Sequence, residues 1–222
     1  MKTKRKANLV KEKIKKEHGC MDACQECTRR FIIIDAMDDS NIPVEYWMLT
    51  MKDFFGSSKL KELVDLYIEN LKEKYMIGKS LCLSGGQGTG KTMSAICILR
   101  AAIKNGFSVY YLTASDLLSE ITDYKNSSEI RNKLKNVDFL VIDELDSRFF
   151  TSDSVKELFS GIYENIFRHR AQNMMPTIIC TNETENIMNV FYGQGTQSIK
   201  SLNNKYLDIV PVAGIDFRKK NA

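Results

Sequence analysis

Eight consecutive residues, Gly85-Gly86-Gln87-Gly88-Thr89-Gly90-Lys91-Thr92, restrict this chain more than any other feature. They lie between a short apolar run, Leu81-Cys82-Leu83, and a helical pattern, which is where a phosphate-binding loop must sit. The spacing G-x-x-x-x-G-K-[ST] has a mechanical origin. Glycines let backbone N–H groups close around phosphates, while the helix that follows points its positive end at them. Lys91 would reach the β- and γ-phosphates of ATP, and the Thr92 hydroxyl would bind Mg2+. A glycine-rich turn before an ordinary helix is the plainer alternative, and an intact eight-residue match behind an apolar strand pattern argues against it.

Around this loop the chain alternates strand-like and helical patterns. Strands are predicted at 80–84, 107–113, 137–143, 177–181 and 209–212, with helices near 91–104, 115–123, 153–170 and 196–206. This alternation predicts an α/β fold, a parallel sheet with helices on both faces and ligands at the carboxyl ends of the strands. Ahead of it, Leu60, Leu63, Val64, Leu66, Tyr67 and Leu71 recur at helical spacing and predict a helix over 57–75. The polar stretch 125–135 reads as a charged helix or loop. With 222 residues and 43% apolar side chains, the chain suits one α/β domain with a small appendage, leaving no room for a second large domain. The composition shifts divide it into a basic, cysteine-rich segment (1–40), a linker and leading helix (41–78) and the nucleotide-binding core (79–222).

Two strand ends bring further polar groups. Phe139-Leu140-Val141-Ile142-Asp143-Glu144 is an apolar strand ending in two acids. Asp143 can bind the Mg2+ held by Thr92, and Glu144 can face the γ-phosphate and polarise a water for attack, an arrangement suited to hydrolysis. Alone, the same residues read as a strand capped by solvated acids. Thr177-Ile178-Ile179-Cys180-Thr181-Asn182 ends in an amide, and Asn182 can hydrogen-bond the attacking water or the γ-phosphate, although asparagine is also a common turn residue. Lys91, Asp143, Glu144 and Asn182 form the candidate catalytic set.

The net charge of +4 is unevenly spread, because residues 1–17 carry +6 and the rest of the chain −2. Such an arm can contact nucleic-acid phosphates, and a solvated terminal helix looks the same. Arg168-His169-Arg170 closes the 153–170 helix, where positive charge either suits the helix dipole or lines a path for single-stranded DNA. No run nears 18 uninterrupted apolar residues and the lysine-rich start is unlike a secretory signal, so the chain reads as soluble and cytoplasmic, with no membrane partner. In that compartment six cysteines serve as metal ligands or buried thiols rather than disulfides. Cys82, Cys97 and Cys180 fall in apolar patterns and read as buried thiols. His18, Cys20, Cys24 and Cys27 fall within ten residues and could form a compact tetrahedral Zn2+ site. Cys-x3-Cys-x2-Cys is also the spacing of radical-SAM iron–sulfur sites, which belong to a barrel enzyme without this loop, and free cysteines on a helix are the plainer reading.

Taken together, GGQGTGKT at 85–92, FLVIDEL at 139–145, TIICTN at 177–182 and VPVAGIDFR at 210–218 resemble the AAA+ ATPases, and within them the DnaC/IstB-type group of helicase loaders and transposition helpers. The segment from Ile42-Pro43-Val44-Glu45-Tyr46-Trp47 to Phe54-Phe55-Gly56 is similar to the linker before the ATPase core of these loaders. The resemblance implies a five-stranded parallel P-loop sheet of the AAA+/ASCE type, with the Asn182 strand between the loop strand and the Asp143 strand. It makes residues 85–92 Walker A, Asp143 and Glu144 Walker B, and Asn182 sensor 1. Only ten residues follow Val212, which fits a group without a full C-terminal helical lid. One departure stands out. Where the group carries a Ser/Asp-Arg-Leu arginine finger, this chain reads Ser198-Ile199-Lys200-Ser201-Leu202-Asn203, with no arginine between Arg170 and Arg218. An arginine finger contributes about 10³–10⁵ in turnover, so hydrolysis should be weak unless Lys200 substitutes or Arg148 swings in.

The same resemblance implies ATP and Mg2+ as ligands, with Zn2+ held by a module at residues 1–40 that grips a hexameric replicative helicase. ATP-dependent homo-oligomer assembly would then open the helicase ring and engage single-stranded DNA in replication. A transposition helper ATPase and a nucleotide-gated binding module with little hydrolysis are the alternatives. A small-molecule P-loop kinase is disfavoured by the Asp143–Glu144 pair, the Asn182 strand and the lack of an Arg-rich lid.

Overall fold

The computed structural model describes residues 2–122, 127–146, 152–184, 205–214 and 216. Arg148, Lys200, Arg218 and all but the last two positions of the predicted 196–206 helix lie outside the described residues. Five strands, β1 (Ser80–Ser84), β2 (Val109–Thr113), β3 (Phe139–Asp143), β4 (Thr177–Thr181) and β5 (Leu207–Pro211), form one sheet in the order β2-β3-β4-β1-β5. Every neighbouring pair is parallel. The strand carrying Asn182 at its end lies between the loop strand and the Asp143 strand, as the resemblance implies. The register aligns Ser84 with Thr181 and Pro211, and Thr113 with Asp143, so the carboxyl ends of the strands share one edge.

Along β1 to β4 both faces of the sheet are buried, which explains why these strands read as continuous apolar runs rather than alternating ones, whereas the edge strand β5 is largely exposed. Leu81, Leu83, Val109, Tyr111, Phe139, Val141, Ile178 and Cys180 point into one core layer. Their alternate neighbours Cys82, Tyr110, Leu112, Leu140, Ile142 and Ile179 point into the other, as the two-residue period of a strand requires. The first layer is covered by α1 (Lys2–Glu17), α2 (Gln25–Asp39), α3 (Ser58–Glu69) and α5 (Lys91–Lys104). The second is covered by α6 (Ala114–Thr122), α7 (Ser127–Asn136) and α8 (Asp153–Gln172). The charged stretch at 125–135 is therefore mostly helical, burying Leu134.

The helix predicted over 57–75 is broken at Asn70, where α3 ends before the short α4 (Leu71–Met76). The Asn70 amide donates to the Leu66 carbonyl at 2.9 Å, a local bond that competes with helix continuation. Residues 1–40 do not stand apart from the core. Ala7 and Ile14 of α1 and Cys27, Ile34 and Met37 of α2 are buried in the same apolar cluster as α5, and α2 packs directly against α5. Lys11 pairs with Asp35 at 2.5 Å across the α1–α2 hairpin. Among the described residues no helix is long and apolar enough to cross a membrane.

Candidate nucleotide site and cysteine cluster

The loop at 85–92 leaves β1 and turns into α5 around Gly90, whose φ of 91° lies in the left-handed region. A side chain there would be strained and would also run into the Phe54 ring. At Gly85 a Cβ would strike the carbonyl of Val212, which follows β5. The backbone is thus held close by the neighbouring segments on both sides, and only glycine permits that approach.

A cleft of ≈ 350 Å³ opens at this edge, lined by loop residues Gln87 to Met93, by Asp143 and Glu144 after β3, and by Cys180, Thr181 and Asn182 at the end of β4. Its size is that of a small-molecule pocket. All four candidate catalytic residues, Lys91, Asp143, Glu144 and Asn182, line this one cleft, together with Thr92. Lys91 is buried, and its Nζ donates to the carbonyls of Gly85 and Gly86, both at 2.7 Å, and to Asn182 Oδ1 at 2.9 Å. A buried ammonium is stable only with such acceptors around it, and phosphate oxygens are better ones.

Asp143 is 4% exposed and held through both carboxylate oxygens. Its Oδ1 accepts from the Glu144 N–H and its Oδ2 from the Tyr111 hydroxyl, each at 2.8 Å. Glu144 adopts a left-handed φ of 55°, unusual for a residue with a side chain and of the kind found where a site fixes a group in place. Partial desolvation, with the charges of Asp143, Asp146 and Asp116, raises the Glu144 carboxyl above the usual carboxylate range, which strengthens it as a proton acceptor. The Asp143 carboxylate and Thr92 hydroxyl are hard oxygen donors facing a single cleft, a set that fits Mg2+.

The sequence reading missed three contributors here. Asp146, two residues beyond Glu144, is buried and accepts from the Asn182 backbone N–H at 2.7 Å and the Asn182 amide at 2.8 Å. This fixes the amide with its oxygen toward Lys91. The third acid in Asp143-Glu144-Leu145-Asp146 was the only sequence cue. Tyr111 on β2 holds Asp143, and its cue was position alone: Thr113 pairs with Asp143, so Tyr111 lies two residues back on the adjoining strand. Finally, Tyr46, Asp53, Phe54, Phe55 and Gly56, which carried only a linker resemblance, form one wall of the cleft.

Arg170 corrects the reading of the basic cluster at the end of α8. It is fully buried and donates to the carbonyls of Leu134, Val137, Asp138 and Pro176 and to Thr177 Oγ1 at 2.6–3.1 Å. It cannot line a DNA path, and it is no solvated charge on a helix end. Its fork ties α7, the approach to β3 and the start of β4 together. Arg168 instead pairs with Glu164 one turn back.

Away from the cleft, His18, Cys20, Cys24 and Cys27 converge so that their ligand atoms all lie within 4.8 Å of one another. His18 Nδ1 is 3.1 Å from Cys20 Sγ and 3.5 Å from Cys24 Sγ. Tetrahedral Zn2+, with bonds of about 2.3 Å to sulfur and 2.0 Å to nitrogen, separates its ligands by roughly 3.5–3.8 Å, so the set fits with small adjustments. Cys24 is the residue before α2, where the backbone N–H of Cys27, and after it the Cys20 thiol, lower its pKa to about 7, favouring the ligating thiolate. Cys82, Cys97 and Cys180 are buried thiols, and burial pushes Cys82 to about 12 and Cys97 to about 11.

Comparison with known proteins places this architecture. The replicative helicase loader DnaC of Escherichia coli strain K12 is 29% identical over 152 residues, covering 66% of this chain and 57% of that protein. The ATP-binding protein of insertion sequence IS5376 of Geobacillus stearothermophilus is 27% identical over 144 residues, covering 64% of this chain and 53% of that protein. The chain therefore spans little more than half the length of these relatives. Among solved structures, DnaI superposes with a TM-score of 0.62 at 18% identity, over 79% of this chain and 94% of DnaI, a likeness of fold. The family described as IstB-like ATP binding protein matches residues 58–203, from the start of α3 to beyond Asn182. With the phosphate loop, the paired acids and Asn182 gathered on the strand order of that fold, the chain belongs to the IstB-like ATP-binding family, in the DnaC/IstB group of AAA+ proteins.

Proposed function

We propose that this protein is an ATP-dependent loader of a hexameric replicative helicase, acting in the cytoplasm during DNA replication. The observation that carries the reading is the convergence of Lys91, Thr92, Asp143, Glu144 and Asn182 on one cleft in a chain homologous to DnaC. Residues 85–92 bind the phosphates of ATP, in a cleft that Phe54 and Tyr46 also line. Thr92 and Asp143 would hold Mg2+, which when bound screens the phosphate charge. Glu144 takes a proton from the attacking water, and Asn182, oriented by Asp146, fixes the water or the γ-phosphate. Turnover is slow, because no arginine lies between Arg170 and Arg218 to neutralise the developing charge. ATP binding drives assembly of copies that open the helicase ring and engage single-stranded DNA.

Lys91→Ala tests this directly. Loss of a charge-assisted contact to phosphate weakens ATP binding roughly ten- to a hundredfold. ATP-dependent capture of the hexameric helicase of the source organism falls with it. Unchanged nucleotide affinity in this variant would remove the basis of the reading, and capture of a transposase in place of the helicase would favour a transposition helper, the role suggested by the IS5376 relative.

The helicase-binding part is residues 1–40, with His18, Cys20, Cys24 and Cys27 holding one Zn2+ that staples the turn between α1 and α2. Purified protein is expected to carry about one zinc ion per chain by elemental analysis, and the Cys20→Ser/Cys24→Ser double variant almost none. Metal-free wild-type protein would disprove the zinc site while leaving the ATP site untouched.

A further inference from the structure

Tyr111 is tied at both ends. It lies on β2, the edge strand beside β3, and is 5% exposed. Its hydroxyl donates to Asp143 Oδ2 at 2.8 Å. Its backbone N–H donates to the Ser40 carbonyl at 3.0 Å, and its own carbonyl accepts from the Asn41 side-chain amide at 3.1 Å. Ser40 and Asn41 are the turn that ends α2. The Ser40 N–H bonds to the Ala36 carbonyl, the Asn41 N–H to that of Asp38 and the Ile42 N–H to that of Met37. Asn41 holds a left-handed φ of 58° within this closure. At its other end, α2 begins directly after Cys24 and contains Cys27. One helix of 15 residues therefore spans from the cysteine cluster to the backbone of the residue that grips Asp143.

We propose that Tyr111 is a positioning residue for the Mg2+-binding carboxylate of Asp143, and that the turn ending α2 sets where Tyr111 stands, so that displacement of the N-terminal hairpin changes Mg-ATP binding. The inference rests on the ATP-site reading above. Asp143 has one oxygen held by its neighbour's N–H and the other by the Tyr111 hydroxyl, with the weak Cys180 thiol also bonded to it, so the Tyr111 hydroxyl is the strongest side-chain restraint on the rotation of the carboxylate. With that bond present, the remaining lone pairs point at a fixed place, and a small cation with strict octahedral demands gains from it. The hydrogen bonds from Ser40 and Asn41 fall on the outer side of β2, away from its ladder with β3. A shift of α2 therefore moves Tyr111 without first breaking the sheet.

The test uses the full chain and a fluorescent ATP analogue, titrated with Mg2+, beside ADP binding in EDTA and a thermal melt. Tyr111→Phe removes one hydroxyl and keeps the ring in the core. It should raise the Mg2+ concentration for half-maximal ATP binding by about tenfold, the loss of one hydrogen bond to a charged group, while metal-free ADP affinity stays within about twofold. Asn41→Gly keeps the left-handed turn and deletes only the amide that holds the Tyr111 carbonyl, and should shift the Mg2+ midpoint in the same direction by about threefold. Equal losses of metal-free ADP and Mg-ATP binding in Tyr111→Phe would mean a structural role and overturn the proposal, as would an unchanged Mg2+ midpoint. An unchanged midpoint in Asn41→Gly would overturn the link to α2. Failure of the wild-type protein itself to bind ATP would strike the nucleotide reading first, and this one with it.

Discussion

Glu144→Gln is expected to lower phosphate release by about a hundredfold or more while leaving ATP affinity within about threefold of wild type. Glutamine keeps the volume and the left-handed backbone position but cannot take a proton from water. Partial burial, and then the neighbouring charges of Asp143, Asp146 and Asp116, raise the Glu144 carboxyl, and that advantage is lost with the substitution. Because Lys91 and the glycine backbone hold the phosphates, binding should persist. Steady-state phosphate release and ATP titration on the same preparation measure the two effects. The variant also separates a switch from a motor: a switch still completes helicase loading with ATP, whereas a cycling machine captures the helicase and stalls before loading is complete. Wild-type turnover in Glu144→Gln would show that another group activates the water.

Arg170→Ala carries the largest expected cost in stability. The guanidinium is fully buried, which lowers its pKa to about 9 and still leaves it charged at neutral pH, and five oxygens surround it, four of them main-chain carbonyls. Truncation strands these acceptors away from water and opens a cavity between α7, α8 and the sheet. Losing a buried, multiply bonded charged group costs about 3–5 kcal/mol, which for a chain of this size is on the order of 10 °C in Tm. Arg170→Lys should recover little, since one ammonium cannot reach acceptors arranged for a planar fork. Melting curves of both variants decide the point. A change in Tm of a degree or two would mean that water reaches these carbonyls as readily as the arginine does.

The sequence displayed those parts of the site that are contiguous and lie at strand ends. Gly85 to Thr92, Asp143 with Glu144, and Asn182 each follow a buried apolar run, so local pattern placed them, and the parallel sheet brought their ends together. What stayed hidden depends on pairing across the chain. Arg170 looked like one more surface cation because nothing local shows that α8 ends over Leu134 and Val137. Tyr111 and Asp146 reach the site through partners 32 and 36 residues away. Asn70 was legible as a helix-breaking residue, yet the hydrophobic period continued through Leu71 and masked the break.

The contact between Ser40–Asn41 and β2 also bears on solubility. A strand at the rim of a sheet offers unpaired main-chain donors and acceptors to any passing chain, and proteins guard such rims to avoid sticking edge to edge. Here the turn after α2 occupies the outward donor and acceptor of Tyr111, midway along β2. A shortened version beginning after Asn41, however intact its ATP cleft, would leave that rim bare and ready to template aggregation.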